Sequence, residues 1–117
     1  MPVAILIVDD NARFRSRARQ RLEADGYAVV AEAEDGASAL EAARRHRPEV
    51  VLLDIGLPDM SGLDVAELLA GTLDAPAVVL TSTHDAADFG ERMASCGARG
   101  FVPKAALSGE AIAAVLA

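Results

Sequence analysis

The stretch AILIVDD, residues 4–10, is a short apolar run that ends in two aspartates. Three further apolar runs end at a polar residue in the same way, namely at Asp54, Thr81 and Lys104. Short, β-branched apolar runs separated by helical patterns are typical of buried strands in a parallel sheet. Because ligands of open parallel sheets bind at the carboxyl ends of the strands, we expect these polar side chains to converge on one crevice. Carboxylates for a metal ion, a nucleophile, and hydroxyl and ammonium groups for phosphate oxygens outline a phosphoryl-transfer site.

Strand-like and helix-like segments alternate five times along the chain. The expected strands cover residues 3–8, 27–33, 50–53, 77–80 and 100–102. The expected helices run from the cap Asn11 to about residue 24 and over residues 37–46, 62–71, 85–95 and 109–116, the last capped by Ser108. This alternation predicts an α/β fold of βαβ units, in which right-handed crossovers place helices on both faces of a parallel sheet. Gly90 interrupts the fourth helix, so we expect that helix to be weak and easily remodelled.

Length and composition predict one domain over residues 1–117, without an output domain. A net charge of −7 argues against nucleic-acid binding by bulk electrostatics. No apolar run approaches the roughly 20 residues that span a bilayer, and the N-terminal run lacks the basic leader of a signal peptide. The single Cys96 excludes an internal disulfide, and we expect it to be a structural thiol in a reducing cytoplasm.

The aspartates at strand ends are the candidate metal ligands. Asp9 and Asp10 repel each other unless a cation lies between them or one stays protonated, and magnesium prefers such oxygen ligands. The structural alternative is an acidic pair at a helix N-terminus. Asp54 is the candidate for a third ligand and for a nucleophile that attacks phosphorus to form an acyl phosphate, whereas the alternative is an aspartate that opens a turn. Gly56 allows the backbone to bend so that its carbonyl joins the ligands.

Thr81 and Lys104 are the candidate partners of phosphate oxygens. Hydroxyls at strand ends commonly bond to nearby backbone, so Thr81 alone is a weak signal. Lys104 is the single lysine among eleven basic residues, and a compact ammonium suits a phosphate oxygen or a carboxylate. An ordinary surface lysine is the alternative that the position alone would favour.

Arginines alternate along the first helix and fall into two groups at helical spacing, Arg13, Arg17 and Arg21 on one side and Arg15 and Arg19 on another. The inward stripe of this helix consists of Phe14, Ala18 and Leu22. A solvated face balanced by Glu23 and Asp25 is the favoured interpretation of the arginines, and a docking surface for an acidic protein partner is the alternative.

Four motifs together resemble those of the response-regulator receiver family of two-component signal transduction: IVDD at 7–10, LDIGLPDMSG at 53–62, VLT at 79–81 and GARGFVPK at 97–104. The resemblance covers essentially the whole chain. It implies a flavodoxin-like, doubly wound sheet of five parallel strands in the order 2-1-3-4-5, with five helices on two faces. Because Ala105 rather than proline follows Lys104, the chain is similar to receivers of helix-turn-helix-type transcriptional regulators.

The resemblance implies a phosphorylation-dependent switch in a phosphorelay rather than a turnover enzyme. Asp54 would accept a phosphoryl group from a histidine of a sensor kinase or phosphotransfer protein, with self-catalysed transfer and autodephosphorylation. Thr81 and Lys104 would bind the phosphoryl oxygens, and Thr81 and Phe101 would be the switch residues. The face built by the fourth helix, the fifth strand and the fifth helix would then change, which could lead to a phosphorylation-linked homodimer. The domain would bind neither nucleic acid nor membrane directly.

The resemblance also implies a divalent metal, Mg²⁺ or Mn²⁺. Its ligands would be side-chain oxygens of Asp9, Asp10 and Asp54 and the backbone carbonyl of Gly56.

Three rival functions stay open on the sequence. A flavodoxin-like redox module shares the architecture, but the acidic pair after the first strand would repel a bound phosphate. An aspartyl-phosphate phosphohydrolase commonly carries an acid two residues after its nucleophile, where this chain has Gly56. A degenerate receiver used only for binding would not need the complete set of acids, hydroxyl and lysine.

Overall fold

The computed structural model describes residues 2–84 and 86–117 and contains a five-stranded parallel sheet in the order β2-β1-β3-β4-β5. The strands are β1 (Ala4–Val8), β2 (Ala28–Ala33), β3 (Val50–Asp54), β4 (Ala77–Ser82) and β5 (Gly100–Pro103). The α-helices of the described residues are α1 (Ala12–Ala24), α2 (Gly36–His46), α3 (Gly62–Ala70), α4 (Arg92–Ser95) and α5 (Gly109–Leu116). The predicted fold class and strand order are confirmed, and outside the fourth helix most boundaries agree with the expected ones to within one or two residues.

Two apolar layers flank the sheet, because every second side chain of a strand points to the same face. In one layer, side chains from one face of the sheet, such as those of Leu53 and Leu80, pack against the helices α2, α3 and α4. The other joins Ile7 and Leu52 to α1 and α5. All five residues of β3 are buried, as expected for the central strand of a sheet that is covered on both faces. Among the described residues no helix has the length and apolar character needed to cross a bilayer.

Polar side chains fix the points at which loops become helices. Asn11 accepts hydrogen bonds from the backbone of Arg13 and Phe14, and Asp35, Ser61 and Ser108 cap α2, α3 and α5 in the same way. Each cap satisfies backbone N–H groups that the helix itself cannot.

The fourth helix is much shorter than the expected residues 85–95. The described part of this segment consists of a 3₁₀ turn (Ala86–Phe89) and the single turn of α4, while Asp85 lies outside the described residues. Gly90 has a φ of 64° and lies between the two pieces. That backbone conformation is left-handed and cannot belong to a continuous helix, and α4 also has no side-chain cap. The expected weakness of this helix therefore appears as a break.

Candidate functional site

The register of the sheet brings four strand ends together at one edge. Asp54 at the end of β3 pairs with Thr81 of β4, and Thr81 in turn pairs with Val102 of β5. On the other side Val8 pairs with Leu53, so Asp9 follows β1 directly beside the end of β3. The predicted convergence at the carboxyl edge of the sheet is therefore present.

Three carboxylates form a compact acidic cluster at this edge. One oxygen from each of Asp9, Asp10 and Asp54 lies within 4.8 Å of the others. Asp9 is 0% exposed and Asp54 is 5% exposed, whereas Asp10 is open to solvent. Two buried carboxylates at this separation repel each other strongly unless a positive charge compensates them.

Lys104 supplies a positive charge to the cluster. Its Nζ lies 2.6 Å from Asp9 Oδ2 and 3.6 Å from Asp54 Oδ2. The side chain is 17% exposed, so both ion pairs are shielded from bulk water. The residue stands at the start of a 3₁₀ turn (Lys104–Ala106) directly after β5, which aims it back across the sheet edge. Lys104 is therefore a partly buried member of this cluster and not a free surface side chain.

Burial is the main reason that the pKa of Asp54 lies above its ordinary value. The charge of Asp9 raises this pKa further and that of Asp10 adds a smaller effect in the same direction. Lys104 and the backbone N–H of Gly56, which donates to Asp54 Oδ1, act in the opposite direction. The net effect is a carboxylate whose negative charge is poorly compensated by the protein alone.

The donor set fits a small, hard divalent cation. The cluster offers only oxygen donors, and Mg²⁺ takes oxygen ligands while retaining several waters. Asp9 Oδ2 is buried and accepts no hydrogen bond, so its only compensation among the described residues is the ion pair with Lys104. Such an atom is suited to ligate a metal either directly or through water.

Thr81 lies near the end of β4 and Phe101 lies in β5, and both make specific contacts with their surroundings. Thr81 is fully buried, and its hydroxyl donates a 2.7 Å hydrogen bond to the carbonyl oxygen of Val102. Phe101 is half-buried and packs against the layer formed by α2, α3 and α4. Thr81 is therefore hydrogen-bonded to β5, the strand that contains Phe101.

Three residues beside the acidic cluster were not predicted as part of the site. The backbone N–H of Asn11 donates to Asp9 Oδ1 at 2.8 Å, and Arg15 Nη1 donates to the Asp9 carbonyl oxygen at 2.5 Å. The ring of Phe14 lies below Lys104, with Nζ 4.5 Å from its centroid. The signal for Phe14 was present in the sequence, because the inward stripe of α1 begins at this residue.

The arginines of α1 separate as their spacing predicts. Arg15 and Arg19 both form ion pairs with Glu32 of β2, and Arg19 also reaches Glu23. Arg21, which belongs to the other group, forms an ion pair with Asp25. On the other side, a groove of about 510 Å³ is lined by basic residues of the helix and by Lys104, among them Arg13, Arg17 and Arg21. A solvated, charge-balanced face accounts for the first group. The second group lines this groove beside Lys104.

Comparison with known proteins supports the resemblance to the receiver family that the sequence motifs indicate. The family model for the response regulator receiver domain matches residues 5–116. The transcriptional regulatory protein KdpE of Mycobacterium tuberculosis is 46% identical over 84 residues, which are 72% of this chain and 37% of KdpE. PdtaR of the same organism is 36% identical over 104 residues, 89% of this chain and 50% of PdtaR. The chain thus spans half or less of the length of these relatives.

A solved structure agrees over nearly the whole fold. The signal receiver domain of NarL from Mycobacterium tuberculosis superimposes with a TM-score of 0.88 at 35% identity, covering 98% of this chain and 94% of that domain. The family match and these relatives do not favour a redox module or a phosphohydrolase. This chain belongs to the response-regulator receiver family of two-component signal transduction.

Proposed function

We propose that residues 1–117 form a receiver domain in which Asp54 is the phosphoacceptor. The observation that carries the proposal is the cluster of three carboxylates within 4.8 Å, with Lys104 in contact with two of them. Asp54 is the member of the cluster that ends the central strand, and a small part of its surface, 5%, remains accessible to solvent. Its poorly compensated charge makes it a reactive oxygen nucleophile once a cation and a phosphoryl donor approach.

The reaction moves one phosphoryl group between two side chains. An oxygen of Asp54 attacks phosphorus, the bond from phosphorus to a histidine nitrogen of the donor breaks, and the electron pair remains on that nitrogen. The donor is a sensor histidine kinase or a histidine phosphotransfer protein. Thr81 and Lys104 bind the phosphoryl oxygens of the product, and water later cleaves the acyl phosphate, so the domain is a self-catalysed switch rather than a turnover enzyme.

Asp9, Asp10 and Asp54 would hold Mg²⁺ or Mn²⁺, with the carbonyl of Gly56 as a further ligand. A bound divalent ion supplies charge stabilisation to the transferring phosphoryl group. The chain's own residues keep the site ready for it: Asn11 holds one oxygen of Asp9 in place, and Gly56 holds one oxygen of Asp54. The other oxygen of each carboxylate lies near the Lys104 ammonium and would be shared between the ammonium and the ion.

Phosphorylation acts on the surface formed by α4, β5 and α5. Thr81 and Phe101 are the switch residues, and a change on this surface alters binding to a partner or to a second copy of the chain. The relatives are transcriptional regulators, so we propose that the domain controls a transcriptional output that it does not itself contact. The free thiol of Cys96 is compatible with a cytoplasmic site of action.

Phosphoryl uptake from acetyl phosphate with Mg²⁺, measured by intact mass, tests the proposal. Asp54→Asn should abolish the phosphorylated species. Asp59→Asn is the matched control, because the same change is made in the adjoining loop at a carboxylate that instead binds the backbone of Gly36 and Ala37. Labelling of Asp54→Asn at the rate of the wild type would contradict the assignment of the phosphoacceptor.

A further inference from the structure

The ammonium of Lys104 is enclosed on three sides. Asp9 Oδ2 and Asp54 Oδ2 lie 2.6 Å and 3.6 Å from Nζ, and the centroid of the Phe14 ring lies 4.5 Å away. A cation over an aromatic face is attracted by the ring quadrupole, and the attraction increases where water is excluded. Only 17% of the lysine side chain is exposed, so this contact belongs to the stronger class.

We infer that Phe14 is a positioning residue that holds the Lys104 ammonium at the acidic cluster. The inference rests on the proposed function, in which that ammonium meets the phosphoryl group on Asp54. A lysine side chain has a long flexible stem and loses conformational freedom when its end is fixed. Beside Lys104 lies the open groove of about 510 Å³, which Phe14 also lines. Without the aromatic face the ammonium can turn into this groove and leave the carboxylates.

The ring is itself tied to the cluster through the start of α1. Asp9 Oδ1 accepts the backbone N–H of Asn11 at 2.8 Å, and the side chain of Asn11 accepts the backbone N–H of Phe14 at 3.1 Å. The remainder of the Phe14 side chain packs into the apolar layer formed by α1 and α5. One continuous path therefore runs from Asp9 through the helix cap to the ring and back to the lysine, and it fixes the ring relative to the acids.

The single lysine of the sequence allows a direct test by NMR. In protein labelled with ¹³C only at lysine, all side-chain signals come from Lys104, and a ring face beside Nζ shifts the ε-methylene signals upfield. Phe14→Leu retains an apolar side chain but removes the ring face, whereas Phe14→Tyr retains the ring. Phe89→Leu is the matched control, because this half-buried aromatic packs in the opposite layer against α2, α3 and α4.

We expect Phe14→Leu to move the Lys104 signals towards their positions in unfolded protein and to slow phosphoryl uptake from acetyl phosphate about ten- to thirtyfold. Phe14→Tyr should restore both properties, and Phe89→Leu should leave the Lys104 signals in place. Unchanged Lys104 signals in Phe14→Leu would overturn the inference, and so would shifted signals with a wild-type rate of uptake. If wild-type protein took up no phosphoryl group, the proposed function would fail, while the Lys104 signals would still decide whether the Phe14 ring lies beside the ammonium.

Discussion

The hydroxyl of Thr81 donates its hydrogen bond to the carbonyl oxygen of Val102, 2.7 Å away on the neighbouring strand. Thr81 is also paired with Asp54 on its other side. A hydroxyl has a single proton and cannot donate it to Val102 and to a phosphoryl oxygen at the same time. If Asp54 is phosphorylated as proposed, rotation of Thr81 towards the phosphoryl group would therefore break a buried contact with β5, the strand that carries Phe101.

Replacement of Thr81 should separate phosphorylation from this change in β5. Thr81→Val keeps the volume and shape but has no proton to donate, so we expect a loss of about 1 kcal/mol in the free energy of unfolding. Asp54 should still be labelled, but the NMR signals of Phe101 and Val102 should no longer respond to phosphorylation. Thr81→Ser, which keeps the hydroxyl, is the control. A response in Thr81→Val as large as that of wild type would contradict the link.

The raised pKa of Asp54 predicts an unusual pH dependence of stability in the absence of divalent metal. Burial is the largest cause of the shift and the charge of Asp9 is the next, so the native state holds the Asp54 proton to higher pH than the unfolded chain, whose ordinary value is 3.8. Between these two pKa values the native state binds more protons, and the contribution of Asp54 to the free energy of unfolding falls as pH rises.

Asp54→Asn cannot titrate, so it should become progressively more stable than wild type as pH rises above about 4 in the presence of EDTA. Urea denaturation at several pH values measures the difference. Added Mg²⁺ should stabilise the wild type more than the variant, because the ion binds the native carboxylates. A difference in stability that stays constant with pH would show that Asp54 ionises as readily in the native state as in the unfolded chain.

Gly62 is required at the start of α3 by a close approach to the backbone at the end of β3. A Cβ atom at this position would overlap the carbonyl oxygen of Asp54 and the Cα of Ile55. The backbone N–H of Gly62 also donates to the Ile55 carbonyl at 2.8 Å, so the helix cannot simply move away. We expect Gly62→Ala to lower the free energy of unfolding by about 1–3 kcal/mol, as overpacking commonly does.

Gly71→Ala is the matched control at the other end of the same helix. The nearest atoms to its added Cβ are carbonyl oxygens at 3.7 and 3.8 Å, which is ordinary contact. This variant should be neutral or more stable by up to about 1 kcal/mol, because alanine restricts the unfolded chain. Equal losses in both variants, measured by urea denaturation, would count against the close approach at Gly62.

The sheet and the convergence of its acidic residues could be predicted because both follow from local pattern. Apolar runs of strand length define the strands, and the parallel arrangement requires their carboxyl ends to share an edge. This rule alone was enough to predict that Asp9, Asp54 and Lys104 lie close together. The register that pairs Asp54 with Thr81 then follows from the strand ends themselves.

Contacts between loops distant in sequence could not be predicted in this way. Asp59 accepts the backbone N–H groups of Gly36 and Ala37 at 2.7 and 3.0 Å, which lowers the pKa of Asp59. In the sequence this residue is simply an aspartate in a turn, and nothing local indicates a bond to the start of α2. The orientation of the Thr81 hydroxyl is a choice of rotamer, and it too has no sequence signature.

The break in the fourth helix predicts fast hydrogen exchange on this side of the domain. α4 has one turn, buries none of its residues, and lacks a side-chain cap. Its attachments are the apolar contacts of Met93 and of the buried Cys96 that follows it, and the ion pairs of Arg92, whose Nη2 lies 2.8 Å from Asp64 and 2.6 Å from Glu67 of α3. These ion pairs are exposed, and such pairs contribute little to stability, typically about 0–1 kcal/mol. Local opening of residues 91–96 should therefore require far less free energy than opening of β3.

Hydrogen–deuterium exchange with mass spectrometry measures this difference. Peptides from residues 91–96 should exchange well before those of β3, and Arg92→Ala should accelerate their exchange by a small factor, with less effect at 0.5 M salt because exposed ion pairs are screened. Arg44→Ala is the control, since it removes a similar exposed ion pair, with Glu41, inside the longer helix α2. Slow exchange throughout residues 91–96, comparable to that of β3, would mean that this segment is a rigid part of the core and is not remodelled when Asp54 is phosphorylated.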